Sequence, residues 1–304
     1  MVAKKEFRMF GTDVDFQIVV ESEIEKVEAE KNLVFAFEML QKHEKMFSRF
    51  DPESELSRIN SQLGIFLNVP MEMVEIAHRA LEQYEKTEGF FDPRVVEILE
   101  SVGYDRDFQN IAEAQLSEKR SIDFQGKQLL DDIKIEDGQI RLNSRMDFSG
   151  LVKGWAVDEI AAYFSASGWK NFLVDLGGDM YFSGKDENGK QWYIDIEGID
   201  SQKVMLKLSG QAVATSGIGR RKWEIRGERF HHLVNPKKPE TFLFELKSVT
   251  VVDMKAEQAD VWAKTIFLMG KEDGMEYARR KNIACAILDY RGNVLLSPTI
   301  KNFL

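Results

Sequence analysis

DFSGLVKGWAVD, residues 147–158, is the most informative stretch of this chain for both its fold and its function. Residues 146–148 have strand-like character, and an apolar-periodic helix is predicted over 151–166, with Lys153 in its first turn. Free N–H groups at a helix start attract anions. The stretch therefore predicts a diphosphate-binding site, in which Asp147 could bind a polar group or help to position a metal. Judged alone, it also fits an ordinary capped helix with a solvated Lys153.

Composition and charge narrow the function classes. The chain has 304 residues and is 43% hydrophobic, which is enough for one large domain or two lobes. The formal net charge of −10 argues against binding of nucleic acid and of anionic membranes. We expect no membrane span, because no apolar run reaches about 18 residues. The N-terminus lacks an apolar signal segment, so the chain as given is expected to be cytoplasmic unless a leader was removed.

Several common site types are excluded by missing residues. Cys285 is the only cysteine, which excludes an intramolecular disulfide and a thiolate metal cluster, and it is expected to be buried. The sequence contains neither a GxxxxGK[ST] phosphate loop nor an HExxH zinc motif. GIG at 217–219 does not complete a dinucleotide fingerprint, because Lys222 stands where the third glycine is needed.

Helix-rich and strand-rich stretches are segregated along the chain, which predicts an α+β fold of mostly antiparallel sheets with packed helices. Helices are expected over 23–47, 70–87, 94–102, 151–166, 257–269 and 272–281. Strands are expected around residues 14–20, 65–69 and 172–176, through much of 180–252, and in IACAILD and NVLLS near the C-terminus. We interpret 1–304 as a single domain with two lobes, and 105–135, which is charged and weakly periodic, as a variable surface insertion.

Eight short motifs are dispersed along the chain. In order, they are Gly11-Thr12, FSRFDPESELSRIN (47–60), GFFDP (89–93), DFSGLVKGWAVD (147–158), FLVDLGGD (172–179), ATSG (214–217), HHLVNP (231–236), and SVTVV followed by ADVWAKT (248–265). Their order and spacing resemble the ApbE family, the FAD:protein FMN transferases, over about residues 9–290. The resemblance implies an architecture related to the T-fold. It also implies FAD as substrate, Mg²⁺ as cofactor for splitting its pyrophosphate, and a protein acceptor whose Thr receives FMN.

The resemblance can be carried over position by position. It implies cofactor-binding roles for eight residues: Phe10, Phe50, Asn60, Phe90, Phe91, Asp92, Asp147 and Lys153. It implies catalytic roles for His232, beside the reacting phosphate, and for Asp260. Mg²⁺ would be held by the carbonyl oxygen of Gly150 and by Asp260. These parts suit the reaction, because cleaving a pyrophosphate requires the charge on its non-bridging oxygens to be neutralised.

Some positions depart from the family motifs. Lys264 stands where the family has a Thr metal ligand, and an ammonium cannot replace a hydroxyl on Mg²⁺. Either Lys264 sits where the metal would be, paired with Asp260 at i, i+4, or Thr265 substitutes through a local register change. Arg94 replaces a Thr, and residues 235–239 lack the Asp, Thr and Gly of the family's DPxTG. Two alternatives therefore stay open: an FAD-binding homologue without metal-dependent transfer, and an FAD pyrophosphatase that yields FMN and AMP.

Overall fold

The structure is a computed structural model that describes residues 1–105, 128–200, 204–219 and 221–304. The chain divides into two compact units. Unit 1 comprises Met1–His43, Lys153–Gly217 and Glu245–Leu304, and unit 2 comprises Glu44–Val152 and Ile218–Phe244. The prediction of one domain with two lobes stays a prediction.

Unit 1 is built on an eight-stranded sheet with the order β1-β2-β6-β7-β10-β13-β14-β15, in which every pairing is antiparallel. Its strands are β1 (Val2–Met9), β2 (Thr12–Val19), β6 (Phe172–Leu176), β7 (Asp179–Ser183), β10 (Gln211–Gly217), β13 (Leu246–Asp253), β14 (Ala284–Asp289) and β15 (Val294–Leu296). A separate hairpin pairs β8 (Trp192–Asp195) with β9 (Met205–Leu208).

Four helices belong wholly or mostly to unit 1: α1 (Glu23–Phe47), α6 (Ser149–Ala166), α7 (Ala256–Met269) and α8 (Lys271–Lys281). A 3₁₀ helix, Thr299–Phe303, ends the chain. Helix α7 packs on β10 and β13. Strand β13 is buried along nearly its whole length, as expected for a central strand covered on both faces.

Unit 2 contains the shorter elements. Its helices are α2 (Glu55–Asn60), α3 (Met71–Lys86), α4 (Val96–Ser101) and α5 (Leu129–Asp132), with a 3₁₀ turn at Pro93–Val95. Its strands are β3 (Leu67–Asn68), β4 (Ile133–Glu136) and β5 (Gln139–Leu142), which form a three-stranded sheet, and the hairpin strands β11 (Lys222–Ile225) and β12 (Glu228–His231). All these pairings are also antiparallel, so the predicted α+β class is confirmed.

Each unit has its own apolar core. In unit 1 the largest fully buried side chains include Phe16, Trp155, Phe164 and Phe172, which lie on the sheet and on α6. In unit 2 a smaller cluster joins Ile98, Leu99, Tyr104 and Val234. Cys285 is fully buried in β14, as predicted.

Three local predictions need correction. Residues 145–148 form a connection without strand pairing, because the side chains and backbone there bond to other segments of unit 2. The strand expected over 65–69 is reduced to β3. Of the expected insertion 105–135, residues 106–127 lie outside the described residues, so that part stays a prediction. Its end is not a surface segment, because Leu129 in α5 and Ile133 in β4 are fully buried.

Among the described residues, the helices of the chain lack the combination of length and apolar character that crossing a membrane requires.

Candidate functional site

The KGWAVD segment of α6 positions the start of α7. A Cβ on Gly154 would lie 2.6 Å from the Cα of Glu257, so only glycine lets the two helices approach this closely. Lys255, at the N-cap of α7, makes no side-chain cap. Asp158 supplies it instead, accepting from the backbone N–H of Ala256 at 2.7 Å and of Glu257 at 3.1 Å. Burial raises the pKa of Asp158 to about 6.

The Gly-Thr and Gly-Gly-Asp motifs meet in the sheet of unit 1. Phe10 and Gly11 both have positive φ and form the two-residue turn between β1 and β2, as a type I′ hairpin requires. Thr12 packs against Gly177. A Cβ added to Gly177 would lie only 2.1 Å from the Oγ1 of Thr12. Gly177 and Gly178 form the turn between β6 and β7 and lead directly into Asp179, the first residue of β7, which is 1% exposed.

Asp179 and Lys153 form the first half of a buried charge cluster. The Lys153 Nζ lies 2.6 Å from Asp179 Oδ2. Lys153 was predicted in the first turn of the helix, but α6 begins at Ser149, so Lys153 stands in its second turn. The ion pair with Asp179 holds the Lys153 ammonium group in place. Burial, followed by the nearby charge of Asp260, raises the pKa of Asp179 despite the two neighbouring lysines.

Asp260 and Lys264 form the second half, on α7. They stand one turn apart, and Lys264 Nζ pairs with Asp260 Oδ1, as the i, i+4 spacing predicted. The cluster therefore contains two carboxylates and two ammonium groups within unit 1. The carboxylate side chains of Asp179 and Asp260 are 2% and 3% exposed, whereas the lysine side chains are 21% and 18% exposed. The ammonium groups thus lie on the outer side of the cluster.

The fit of Mg²⁺ to this cluster can be judged from its donors. Among the described residues, Asp260 Oδ2 is buried without a hydrogen-bond partner, which favours a cation nearby. However, Lys264 already holds the other Asp260 oxygen, and the described part of the chain has no group of three His, Cys, Asp or Glu side chains that could hold a metal. Because Mg²⁺ requires several oxygen ligands in near-octahedral geometry, these residues do not fit it well.

Thr265 does not take the place of the missing hydroxyl. Helix α7 runs without interruption from Ala256 to Met269, so no register change occurs. At about 100° per residue, Thr265 lies about 140° around the helix from Asp260. Gly150, the other residue expected at the metal, is the second residue of α6.

Asn60 holds the segment that precedes α6 through two hydrogen bonds to the backbone of Met146. Its side-chain amide donates to the carbonyl of Met146 at 2.8 Å, and its Oδ1 accepts from the Met146 N–H at 2.9 Å. Asn60 was predicted to be a ligand of the flavin nucleotide. In the structure, both polar ends of the amide bond to the backbone of unit 2, and they fix the entry into DFSGLVKGWAVD.

Asp147 is held by a buried arginine. Arg49 Nε lies 3.0 Å from Asp147 Oδ2, and Asp147 Oδ1 accepts from the Ser149 N–H at 2.8 Å. The Arg49 guanidinium also lies 4.0 Å from the centre of the Phe50 ring. Arg49 and Phe50 line a cavity of about 560 Å³ in unit 2, together with side chains from the SELSRIN segment. This cavity gives Phe50 an exposed aromatic surface beside a cation.

The GFFDP motif is tied into a second ion-pair group. Arg94 contacts both oxygens of Asp92, with Nη2 2.7 Å from Oδ2, and its Nη1 lies 2.8 Å from Asp132. Phe91 is buried, so its side chain belongs to the core of unit 2. Phe90 is half-buried and has the Lys237 Nζ 4.1 Å from its ring centre. Of this motif, Phe90 is the residue that keeps an accessible side chain.

The two adjacent histidines differ in environment. His231 ends β12, is 2% exposed and packs against Phe242 and Phe244. Its Nε2 donates to the Leu243 carbonyl at 3.1 Å, and burial lowers its pKa to about 4. His232 is half-buried, and its Nδ1 lies 3.3 Å from the Arg221 carbonyl. A carbonyl only accepts, so this contact requires a proton on Nδ1 and leaves Nε2 as the basic nitrogen.

The site residues that sequence reasoning missed are Asp179, Arg49 and Asp158. Each is a charged residue inside one of the eight motifs, and that position was the available signal. Ion pairs give Asp179 and Arg49 their roles, and backbone hydrogen bonds give Asp158 its role. These contacts join positions far apart in the sequence.

Comparisons with known proteins identify the family of the chain. The family model described as the ApbE family matches residues 10–287. The chain is 26% identical over 268 residues to the FAD:protein FMN transferase of Haemophilus influenzae, covering 84% of this chain and 78% of the relative. It is 27% identical over 259 residues to the protein of that name from Vibrio cholerae, covering 81% and 75%.

Solved structures show the same fold. The ApbE protein of Thermotoga maritima superposes with a TM-score of 0.85 at 23% identity, covering 100% of this chain and 99% of that one. The Pseudomonas stutzeri flavinyl transferase ApbE, in its apo form, gives a TM-score of 0.83 at 20% identity, covering 100% and 96%. With the family model spanning nearly the whole chain, this protein belongs to the ApbE family.

Proposed function

We propose that this chain binds FAD and transfers its FMN portion to a Thr hydroxyl of an acceptor protein. The observation that carries the proposal is the cluster in unit 1, where Lys153 and Lys264 present two ammonium groups above buried carboxylates. Two such groups suit a diphosphate, because charge-assisted contacts to phosphate oxygens are the strong ones. The curated relatives named FAD:protein FMN transferase support the same activity.

Residues that the family resemblance implies for FAD occur in each unit, and each set is considered by itself. Lys153 in unit 1 is suited to the diphosphate, and Phe50 and Phe90 in unit 2 offer accessible aromatic surface to a flat ring system. Asn60, Asp92 and Asp147 act mainly by holding backbone and helix starts in place. They are positioning residues in this proposal.

His232 is proposed to take the proton from the acceptor hydroxyl. Its Nδ1 is held by the Arg221 carbonyl, which leaves Nε2 to accept the proton. The hydroxyl oxygen then bonds to the phosphorus that bears riboflavin, and the bridging P–O bond breaks. AMP leaves and carries the proton, so that protein–OH and FAD give protein–O–FMN and AMP. Mg²⁺ has no part in this reaction scheme, because the cluster around Asp260 does not fit that ion.

A second candidate function is FAD binding without transfer, which is favoured by the Lys264–Asp260 pair. Hydrolysis of FAD to FMN and AMP is the remaining alternative. One experiment separates all three: the chain is incubated with FAD and a candidate acceptor protein, AMP is measured by chromatography, and the acceptor by intact-mass spectrometry. Transfer gives AMP and an acceptor heavier by one FMN on Thr. Hydrolysis gives AMP and free FMN without acceptor, and binding alone leaves FAD intact.

A further inference from the structure

Helix α7 carries a lysine at the point where a cation would meet Asp260. Lys264 Nζ pairs with Asp260 Oδ1, and the pair is largely buried. The second pair, Lys153 with Asp179, balances the remaining carboxylate. The negative charge that would attract a divalent ion is therefore already neutralised by groups that belong to the chain. An ammonium has three N–H donors and no lone pair, so it can contact phosphate oxygens but cannot be a metal ligand.

A divalent ion and Lys264 exclude each other at this position. Two cations at about 4 Å repel strongly where water is scarce. The side chain of Asp260 is 3% exposed, so water screens little of that repulsion. Along α7 the hydroxyl of Thr265 lies on another side of the helix, and it gives the ion no compensating ligand on the face of Asp260.

We infer that Lys264 takes the place of the divalent cation in this chain, so that its anion site is complete without metal. Lys264 and Lys153 are the more exposed members of the cluster, and both ammonium groups are placed to contact phosphate oxygens. The part of this inference that concerns FAD rests on the proposed function. The part that concerns metal exclusion rests on the cluster alone.

The first test measures metal uptake by the full chain without FAD. Calorimetric titration with Mn²⁺ compares the wild type with Lys264→Thr, which restores a hydroxyl and removes the charge. We expect no Mn²⁺ uptake by the wild type and clear uptake by the variant. Wild-type uptake as tight as that of the variant would overturn the inference, and so would the absence of uptake by both, because Lys264 would then not be what excludes the ion.

A matched control comes from the same unit. Lys271 pairs with the buried Asp289 at 2.7 Å, but Asp289 also accepts from Asn293 and from backbone N–H groups. Lys271→Thr should therefore behave like the wild type in the Mn²⁺ titration. If circular dichroism shows that Lys264→Thr does not fold, Lys264→Ser offers the same hydroxyl. The wild-type titration needs no variant and can overturn the inference by itself.

The second test measures FAD affinity by flavin fluorescence, in EDTA and in Mg²⁺. The wild type should bind equally well in both, whereas Lys264→Thr should lose about tenfold in EDTA and recover with Mg²⁺. A wild type that binds FAD only with Mg²⁺ would overturn the inference. Failure of the wild type to bind FAD in either condition would contradict the proposed function, and the Mn²⁺ titration would still decide whether Lys264 excludes the ion.

Discussion

The two units bury their charges in different ways. In unit 2, arginines hold the carboxylates, and both oxygens of Asp92, Asp132 and Asp147 have partners. In the unit 1 cluster, lysines hold the carboxylates of Asp179 and Asp260, and Asp260 Oδ2 lacks a hydrogen-bond partner among the described residues. A planar guanidinium closes a network, whereas an ammonium is a mobile point charge. The difference supports our proposals that the unit 2 ion pairs maintain structure and that the unit 1 cluster binds a ligand.

The largest expected effect concerns the two adjacent histidines of unit 2, of which His232 is proposed to be catalytic and His231 to stabilise the fold. His232→Ala should lower the rate of FMN transfer about 10²–10⁴-fold, the usual contribution of a general base, while the fold is kept. The measurement is AMP release with FAD and acceptor, with circular dichroism as the check on folding. His231→Ala is the comparison, and it should lower the stability because His231 packs between aromatic rings. A folded His231 variant that loses the activity, beside a fully active His232 variant, would contradict the assignment.

The ion pairs of unit 2 should prove structural when one is broken. Arg94→Leu leaves Asp92 and Asp132 buried without their cation, so we expect a loss of about 3–5 kcal/mol in the free energy of unfolding. Urea unfolding followed by circular dichroism measures it.

A matched control is Arg145→Leu. Arg145 pairs with Glu100 at 2.7 Å, but both side chains are about one-third exposed. Its loss should cost about 0–1 kcal/mol. Equal costs for the two arginines would remove the distinction between the closed network and an ordinary surface pair.

The sequence predicted the elements better than it predicted the partners. Strand β6 and the helices α1, α6 and α7 follow from local periodicity, and the Asp260–Lys264 pair follows from helical spacing. The partner of Asp147 could not be predicted, because Arg49 lies about a hundred residues earlier and meets it only through packing in unit 2. The expected strand at 146–148 failed for the same reason: Asn60 takes the backbone groups that a neighbouring strand would need.

Asp179 shows what a motif match leaves out. It was part of the quoted FLVDLGGD segment, yet its role depends on Lys153 in α6 and on Asp260 in α7. Gly-Gly-Asp alone indicates a turn. Only the pairing of β6 with β7 beside β2 shows that this turn delivers a buried carboxylate to the cluster.

The acid dependence of stability should come partly from unit 2. The pKa of His231 is lowered to about 4 in the folded chain, against 6.5 for the free side chain. Between these values the unfolded chain binds a proton that the folded chain does not, so stability is full above pH 6.5 and falls as the pH drops towards 4. The loss is at most about 3 kcal/mol. Urea unfolding at pH 7 and pH 5 measures it.

His231→Phe should flatten this acid limb, because Phe does not titrate. Asp158 in unit 1 contributes the opposite slope. Its pKa is raised to about 6, so its contribution to stability falls as the pH rises from about 4 to about 6. Asp158→Asn should therefore steepen the acid limb. An unchanged pH dependence in the His231 variant would show that the ring is not buried as a neutral group.

The smallest expected effect tests the unit 1 cluster as a ligand site. Lys153→Ala removes one ammonium from the proposed diphosphate contact, so FAD affinity should fall by about 1.5–3 kcal/mol, the value of a charged hydrogen bond. Flavin fluorescence titration measures it, and FMN serves as the reference ligand because it lacks the diphosphate. The wild type should prefer FAD to FMN, and the variant should lose most of that preference.

Lys271→Ala is the control for this prediction. It removes an equivalent lysine elsewhere in unit 1 and should leave FAD affinity unchanged. Because Lys153→Ala also leaves Asp179 without its ion pair, the titration is interpreted only for protein shown to be folded by circular dichroism. A wild type that binds FAD and FMN equally would show that the cluster does not contact the diphosphate, and the contrast between an open unit 1 cluster and a closed unit 2 network would then carry no functional meaning.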